Sequence, residues 1–137
     1  MRSKSSEFLF LGPVGGKVSQ VIGPVIDIRY KGRSIPEIYT AIEIMDSASS
    51  KMARYVQVVA EVQQMIGGST VRAIAMNPTE GLARNYIAVD TGSPISVPVG
   101  NQVLGRIFNV LGQTIDNLAA VEAPELKWPI HRPAPAF

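Results

Sequence analysis

Two glycines five positions apart raise the first chemical question in this sequence. In "VPVGNQVLGRIFNVLG" Gly100 is followed by Asn101, Gln102, Val103 and Leu104, then by Gly105 and Arg106. A phosphate-binding loop has that glycine spacing, but it needs a Lys to reach the phosphates and a Ser or Thr to bind magnesium. Those places hold Arg106 and Ile107. Ile107 cannot ligand a metal, and the residues between the glycines are mostly not small. The reading that fits is a pair of glycines bounding a short helical turn.

A second motif is "VDTGS", Val89 to Ser93. It imitates the loop in which an aspartic protease holds one of two carboxylates that share a proton. A dimer could supply the second Asp. Gly105 follows Asp90 too closely to leave room for a flap hairpin, and Asp90 comes after most of the strand-like segments. A turn in which Gly92 takes a positive φ accounts for these residues. The single histidine, His131, has no carboxylate cluster around it in the sequence, so packing or hydrogen bonding is its expected role. Trp128 reads as an aromatic anchor. Arg29, Lys31 and Arg33 surround Tyr30, as on a barrel that stacks single-stranded bases. Asp27 and Glu37 flank that cluster, and a solvated hairpin end is the better reading.

Composition narrows the classes. Of 137 residues, 46% are hydrophobic and 18% charged, enough apolar material for a core. The formal net charge of +2 is too small for a nucleic-acid footprint. Without cysteine, thiolate metal sites, disulfides and cysteine nucleophiles are excluded. No apolar run approaches the roughly 18 residues that cross a bilayer. "FLFLGPV", Phe8 to Val14, is too short and too rich in Gly and Pro for a signal peptide, so residues 1–15 read as a flexible extension.

The segments that would position any site are short and strand-like. "GKVSQVIGPVIDIRY", Gly16 to Tyr30, alternates Ile26, Ile28 and Tyr30 with Asp27 and Arg29; Gly23-Pro24 reads as a bend or bulge between two halves. "IYTAIEI" puts Ile38, Thr40, Ile42 and Ile44 on one face. "DSASSK" is a polar hairpin loop. "RYVQVVAEV" sets Val56, Val58, Ala60 and Val62 against Tyr55, Gln57, Val59 and Glu61. "QQMIGGST" reads as a loop, and "TVRAIAM" as a strand with Val71, Ala73 and Ala75 on one side. "NPTEG" and "TGSP" are turns around the strand "YIAVD", and "ISVPV" is extended. "NQVLGR" forms one helical turn with Asn101 as its cap, and "RIFNVLG" a further short strand. From Gln113 the chain is rich in Pro and Ala without a clean period; its prolines hold it extended, and it is expected to be mobile in isolation. Many short strands separated by Gly and Pro predict an all-β barrel or sandwich.

The stretches "GKVSQVIGPVIDIRY", "EVQQMIGGSTVRAIAMNPTEGLARN", "VDTGSPISVPVGNQVLGRIFNVLGQTIDN" and "PIHRPAPAF" together resemble the N-terminal part of F-type ATP synthase β subunits. The α subunits and vacuolar-type subunits share the Gly-Pro-Val opening but not "STVRAIAM" with "TEGLAR". "EVQQMIGG" and "PIHRPAPAF" look most like plastid and cyanobacterial members. The resemblance implies a closed six-stranded barrel at 16–92, then the truncated, partly irregular start of a nucleotide-binding domain at 93–137 with one short helical turn. It implies ATP synthase α subunits as ring neighbours, no nucleic acid, and a membrane reached only through the complex, with the stromal side of the plastid thylakoid favoured over a bacterial plasma membrane or a mitochondrial inner membrane. The family's phosphate loop follows a stretch like "PIHRPAPAF", beyond Phe137. No catalytic, cofactor-binding or metal residue is therefore expected in this chain, and MgATP and MgADP belong to the parent protein.

Overall fold

A computed structural model of the chain describes residues 15–32, 34–46, 56–121 and 126–137. The extension before Gly15 and the "DSASSK" loop after Asp46 fall outside the described residues. The described residues divide between Gly92 and Ser93 into two compact units.

The first unit is a closed antiparallel barrel of six strands: β1 (Gly16–Ile22), β2 (Val25–Arg29), β3 (Thr40–Met45), β4 (Val56–Gly67), β5 (Thr70–Ala75) and β6 (Ile87–Pro94), hydrogen-bonded in the order β1-β2-β5-β4-β3-β6. Closure is made where Gly16 and Lys17 pair with Ala88 and Ile87, and Val18 N–H donates to the Tyr86 carbonyl at 3.0 Å. Full closure satisfies every ladder and leaves no free sheet edge.

Period-2 patterning explains the core. Ile26 and Ile28 from β2, Ile42 and Ile44 from β3, Val58, Ala60 and Val62 from β4, and Val71 and Ala73 from β5 are all fully buried, joined by Val18, Tyr30 and Ala88. Each large aliphatic side chain removed from water stabilises the fold by about 1.5–3 kcal/mol before conformational entropy is counted. Ile42→Ala, which opens a cavity among residues that cannot collapse, costs about 2–5 kcal/mol. The register slips in β1 between Val18 and Gln20, in β3 between Ile44 and Met45, and in β4 between Val62 and Gln64 and between Met65 and Gly67. Such bulges bend strands sharply enough to close a small barrel.

Several sequence expectations are corrected here. Gly23-Pro24 is a two-residue hairpin turn: Ile22 pairs with Val25, and Gly23 has φ 55°. Pro24 sits outside the ladders, where its missing N–H costs nothing. Ile38 lies before β3, and Tyr39 at φ 71° turns the chain, so Ile38 is exposed. "QQMIG" is strand; β4 runs through its bulges to Gly67, and the turn is Gly68-Ser69. "TGSP" is strand too, because β6 continues to Pro94 although Gly92 has φ 68°.

The second unit holds a two-stranded antiparallel sheet of β7 (Ser96–Val99) and β8 (Leu126–Pro129), with a 3-10 turn at Asn101–Val103. The cap of that turn is Gly100, at φ 121°, and not Asn101. "RIFNVLG" forms no strand; a single bridge joins Phe108 to Thr114 around a turn in which the Asn109 carboxamide oxygen accepts from the N–H groups of Leu111 and Gln113. The tail contributes β8 to this sheet. Val97 pairs with Trp128, Val99 with Leu126, and Ile130 N–H donates to the Ile95 carbonyl at 3.0 Å.

Candidate functional site

The glycine-bounded loop is closed on itself. The N–H of Val103 donates to the Gly100 carbonyl, that of Leu104 to Asn101 and that of Arg106 to Val103, each at 3.2 Å. A phosphate cradle needs those N–H groups pointing at the anion. Here they are consumed by the turn. Arg106 is engaged as well. Its Nε donates to Asp116 Oδ2 at 2.6 Å, and its Nη2 donates to Asp116 Oδ1 at 3.0 Å and to the Ala119 carbonyl at 2.6 Å. The Arg106 guanidinium, with the N–H groups of Leu118 and Ile107, holds the Asp116 carboxyl well below the usual carboxylate range, while partial burial pulls the other way. Gly105 and Arg106 therefore build a turn and a bidentate clamp that tie the loop to the Asp116 segment.

Asp90 lies on β6, and its Oδ1 accepts from the Gly92 N–H at 2.8 Å. The neighbouring Thr91 hydroxyl donates to the Ala41 carbonyl at 2.8 Å and ties β6 to β3. The carboxylate thus supports the local backbone of β6 where Gly92 takes a positive φ, a side-chain-to-backbone bond that Asp and Gly two residues apart favour. His131 is exposed beside Arg132, whose guanidinium lies 3.6 Å over the Trp128 ring. Trp128 anchors that cation by its π-face. Tyr30 is only 2% exposed, so its ring fills the barrel and offers no stacking platform beside Arg29 and Lys31. Arg33 lies outside the described residues.

Sequence reasoning missed the Asp27–Arg72 pair. Asp27 on β2 and Arg72 on β5 stand directly opposite in register, and the guanidinium meets the carboxylate with two hydrogen bonds, 2.8 and 2.9 Å. Only the alternation that turns Asp27 away from Ile26 and Ile28 hinted at a partnered outward position. It also missed a cleft of about 490 Å³ in the second unit, lined in part by Ser96, Phe108, Gln113, Thr114 and Lys127. Among the described residues no three His, Asp or Glu gather closely enough to hold a metal ion.

Clamps, closed turns and a sealed barrel are the means by which a scaffold holds shape. The family model described as "ATP synthase alpha/beta family, beta-barrel domain" matches residues 18–92, nearly the whole of the closed barrel, from Val18 of β1 to Gly92 of β6. That match covers more than half of the sequence, and the chain belongs to the ATP synthase alpha/beta family.

Proposed function

We propose that the chain is the N-terminal portion of an F-type ATP synthase β subunit, and that its barrel holds the alternating ring of α and β subunits together in the catalytic head. The observation that carries the reading is the edge-free barrel at 18–92 within the matched family. "STVRAIAM" and "TEGLAR" within it favour β over α. A closed barrel keeps its shape under shear because deforming it strains every ladder at once, so it is suited to fix neighbours while domains beyond it open and close. In the parent assembly ATP is formed from ADP and phosphate, coupled to proton transport by rotation. MgATP and MgADP would bind beyond the residues described here. The proposed setting is a peripheral membrane complex on the stromal side of the thylakoid.

Co-expression with tagged α-subunit barrel, and separately with tagged β-subunit barrel, tests this. The expected result is stoichiometric retention by α and weaker retention by β. Equal indifference to both would overturn the ring role and leave a free-standing barrel. Preference for β would reassign the chain as an α-type subunit.

A further inference from the structure

Lys17 on β1 and Arg29 on β2 are register partners, so two exposed cations stand next to each other on one face of the sheet. Like charges directly opposite across a ladder are destabilising. Lys31, also exposed, follows β2, and the three line one cleft of about 240 Å³. Among the described residues no carboxylate pairs with any of the three. Arg72 and Arg106, by contrast, each hold a carboxylate with two hydrogen bonds. The next outward acid along β2, Asp27, has both oxygens taken by Arg72. Asn85 lines the same cleft. Its backbone, at φ 69°, donates to the Val18 carbonyl at 2.8 Å, and its carboxamide has no partner among the described residues. Ser19, a further lining residue, spends its hydroxyl proton on the Asp27 carbonyl at 3.0 Å.

We propose that Lys17, Arg29, Lys31 and the Asn85 carboxamide form a binding site for a small free anion of the diphosphate class. An anion seated between Lys17 and Arg29 replaces their mutual repulsion with a shared attraction. The guanidinium meets two oxygens of one phosphoryl group side by side, and each lysine ammonium adds a point charge. From Arg29 to Lys31 the cations extend about 7 Å along the chain, more than one phosphoryl group meets at once and within reach of two. The cleft is smaller than the roughly 300 Å³ at which sites for drug-sized ligands begin. Tyr30, the aromatic residue between Arg29 and Lys31, is turned into the core and offers no face to a base. Both facts favour a compact inorganic diphosphate over a nucleotide or a nucleic acid. The site needs only the β1–β2 wall and does not rest on the ring reading.

Calorimetric titration of the full chain with sodium pyrophosphate, and separately with inorganic phosphate, tests it. The expected result is one pyrophosphate per chain, bound more tightly than phosphate. Its affinity is expected to fall on the order of 10-fold between about 20 and 200 mM salt as charges are screened. Lys17→Gln and Arg29→Gln are each expected to weaken binding about 10-fold or more, with a wild-type far-ultraviolet spectrum. Without ligand, Lys17→Gln is expected to raise the melting temperature by on the order of 2 °C, because the like-charge pair is gone. A fall instead would show that Lys17 is already partnered in the free chain and would count against the site. Lys127→Gln, which alters the cleft of the second unit, is expected to leave binding unchanged. Binding lost in that variant and kept in the other two would overturn the assignment, as would no heat with pyrophosphate at low salt. Excess magnesium, which takes up the charge of the diphosphate, is expected to weaken binding, and indifference to it would overturn a site made by charge. Vesicles of phosphatidylglycerol retained by the chain, with pyrophosphate unable to displace them, would assign the cations to a lipid surface and overturn the free-anion site.

Discussion

Asp27 and Arg72 face each other across β2 and β5 with both carboxylate oxygens and two guanidinium nitrogens engaged, at 2.8 and 2.9 Å. The Asp27 side chain is almost covered, while that of Arg72 keeps 40% of its surface. The Arg72 hydrogen bond, aided by its charge, holds the Asp27 carboxyl below its ordinary value of 3.8, against the opposing effect of burial. A carboxyl with a depressed folded pKa stabilises the fold above the unfolded value and loses that contribution as pH falls through the folded one. Acid unfolding of the barrel is thus expected to include Asp27 below about pH 4. Asp27→Asn is expected to lower the melting temperature by on the order of 5 °C at pH 7 and to flatten the acid limb of stability against pH. An unchanged acid limb in the variant would show that Asp27 takes no part.

Gly16 is needed for space, not for a special φ. A Cβ built there would stand 2.7 Å from Ile28 Cγ2 and 2.8 Å from Tyr30 Cζ, both held in the core. Gly16→Ala is expected to destabilise by about 1–3 kcal/mol through overpacking. Gly23 gives the contrast: it has φ 55° and nothing within 4 Å of an added Cβ. Gly23→Ala is expected to cost about 1–2 kcal/mol, all of it backbone strain. Urea denaturation separates the two when the double variants Gly16→Ala/Tyr30→Ala and Gly23→Ala/Tyr30→Ala are added. Removing the Tyr30 ring relieves the part of the crowding at Gly16 that the ring makes, leaving the Ile28 contact, and the strain at Gly23 is indifferent to it.

What could be read from the sequence was whatever two neighbouring residues decide. The alternation of Ile26 and Ile28, of Ile42 and Ile44, and of Val58, Ala60 and Val62 placed three strands and their inward faces, because burial on one side of a pleat follows a strict period. The run Gln63–Ile66 has no such period and is exposed, so its place in β4 comes only from pairing with β5. Gly23-Pro24 read as a bend or bulge because proline marks bulges and turns alike, and only the partner strand decides which. The Asp27–Arg72 clamp joins residues 45 positions apart, and the β7–β8 pairing depends equally on distant partners. Within the candidate loop, Ile107 already argued against a metal. That the N–H groups turn inward and that Arg106 is clamped by Asp116 are facts of three-dimensional geometry.

The clamp yields a prediction about ligands. The purified chain is expected to show no rise in melting temperature with millimolar MgATP, where a binder would shift by RT ln(1 + [L]/Kd). Arg106→Lys with Ile107→Ser, which restores the motif letters, is expected to leave that result unchanged, because Val103, Leu104 and Arg106 already spend their N–H groups within the turn. Arg106→Ala is expected to loosen the loop, with faster amide exchange at Ile107 and Leu118, whose N–H groups donate to the Asp116 carboxylate. A ligand-dependent shift in either protein would contradict the closed-turn account.

Tyr30 gives the last prediction. Its hydroxyl is buried and has no hydrogen-bond partner among the described residues. Burial, reinforced by the negative charge of Asp90, raises the phenol well above its ordinary value of 10.0. For an acid with a raised folded pKa, the contribution is intact below the unfolded value. It is lost as pH rises from there toward the folded value, since only the unfolded chain can ionise. The barrel is therefore expected to weaken above about pH 10. Tyr30→Phe keeps the ring in the core, removes a polar atom whose desolvation costs about 1–3 kcal/mol, and removes the ionisation. It is expected to be neutral to stabilising at pH 7 and to hold its stability between pH 10 and 11, where the wild type declines. Chemical denaturation of both proteins across that range measures the difference, and a Tyr30→Phe barrel less stable than wild type at pH 7 would show that the hydroxyl has a partner in solution.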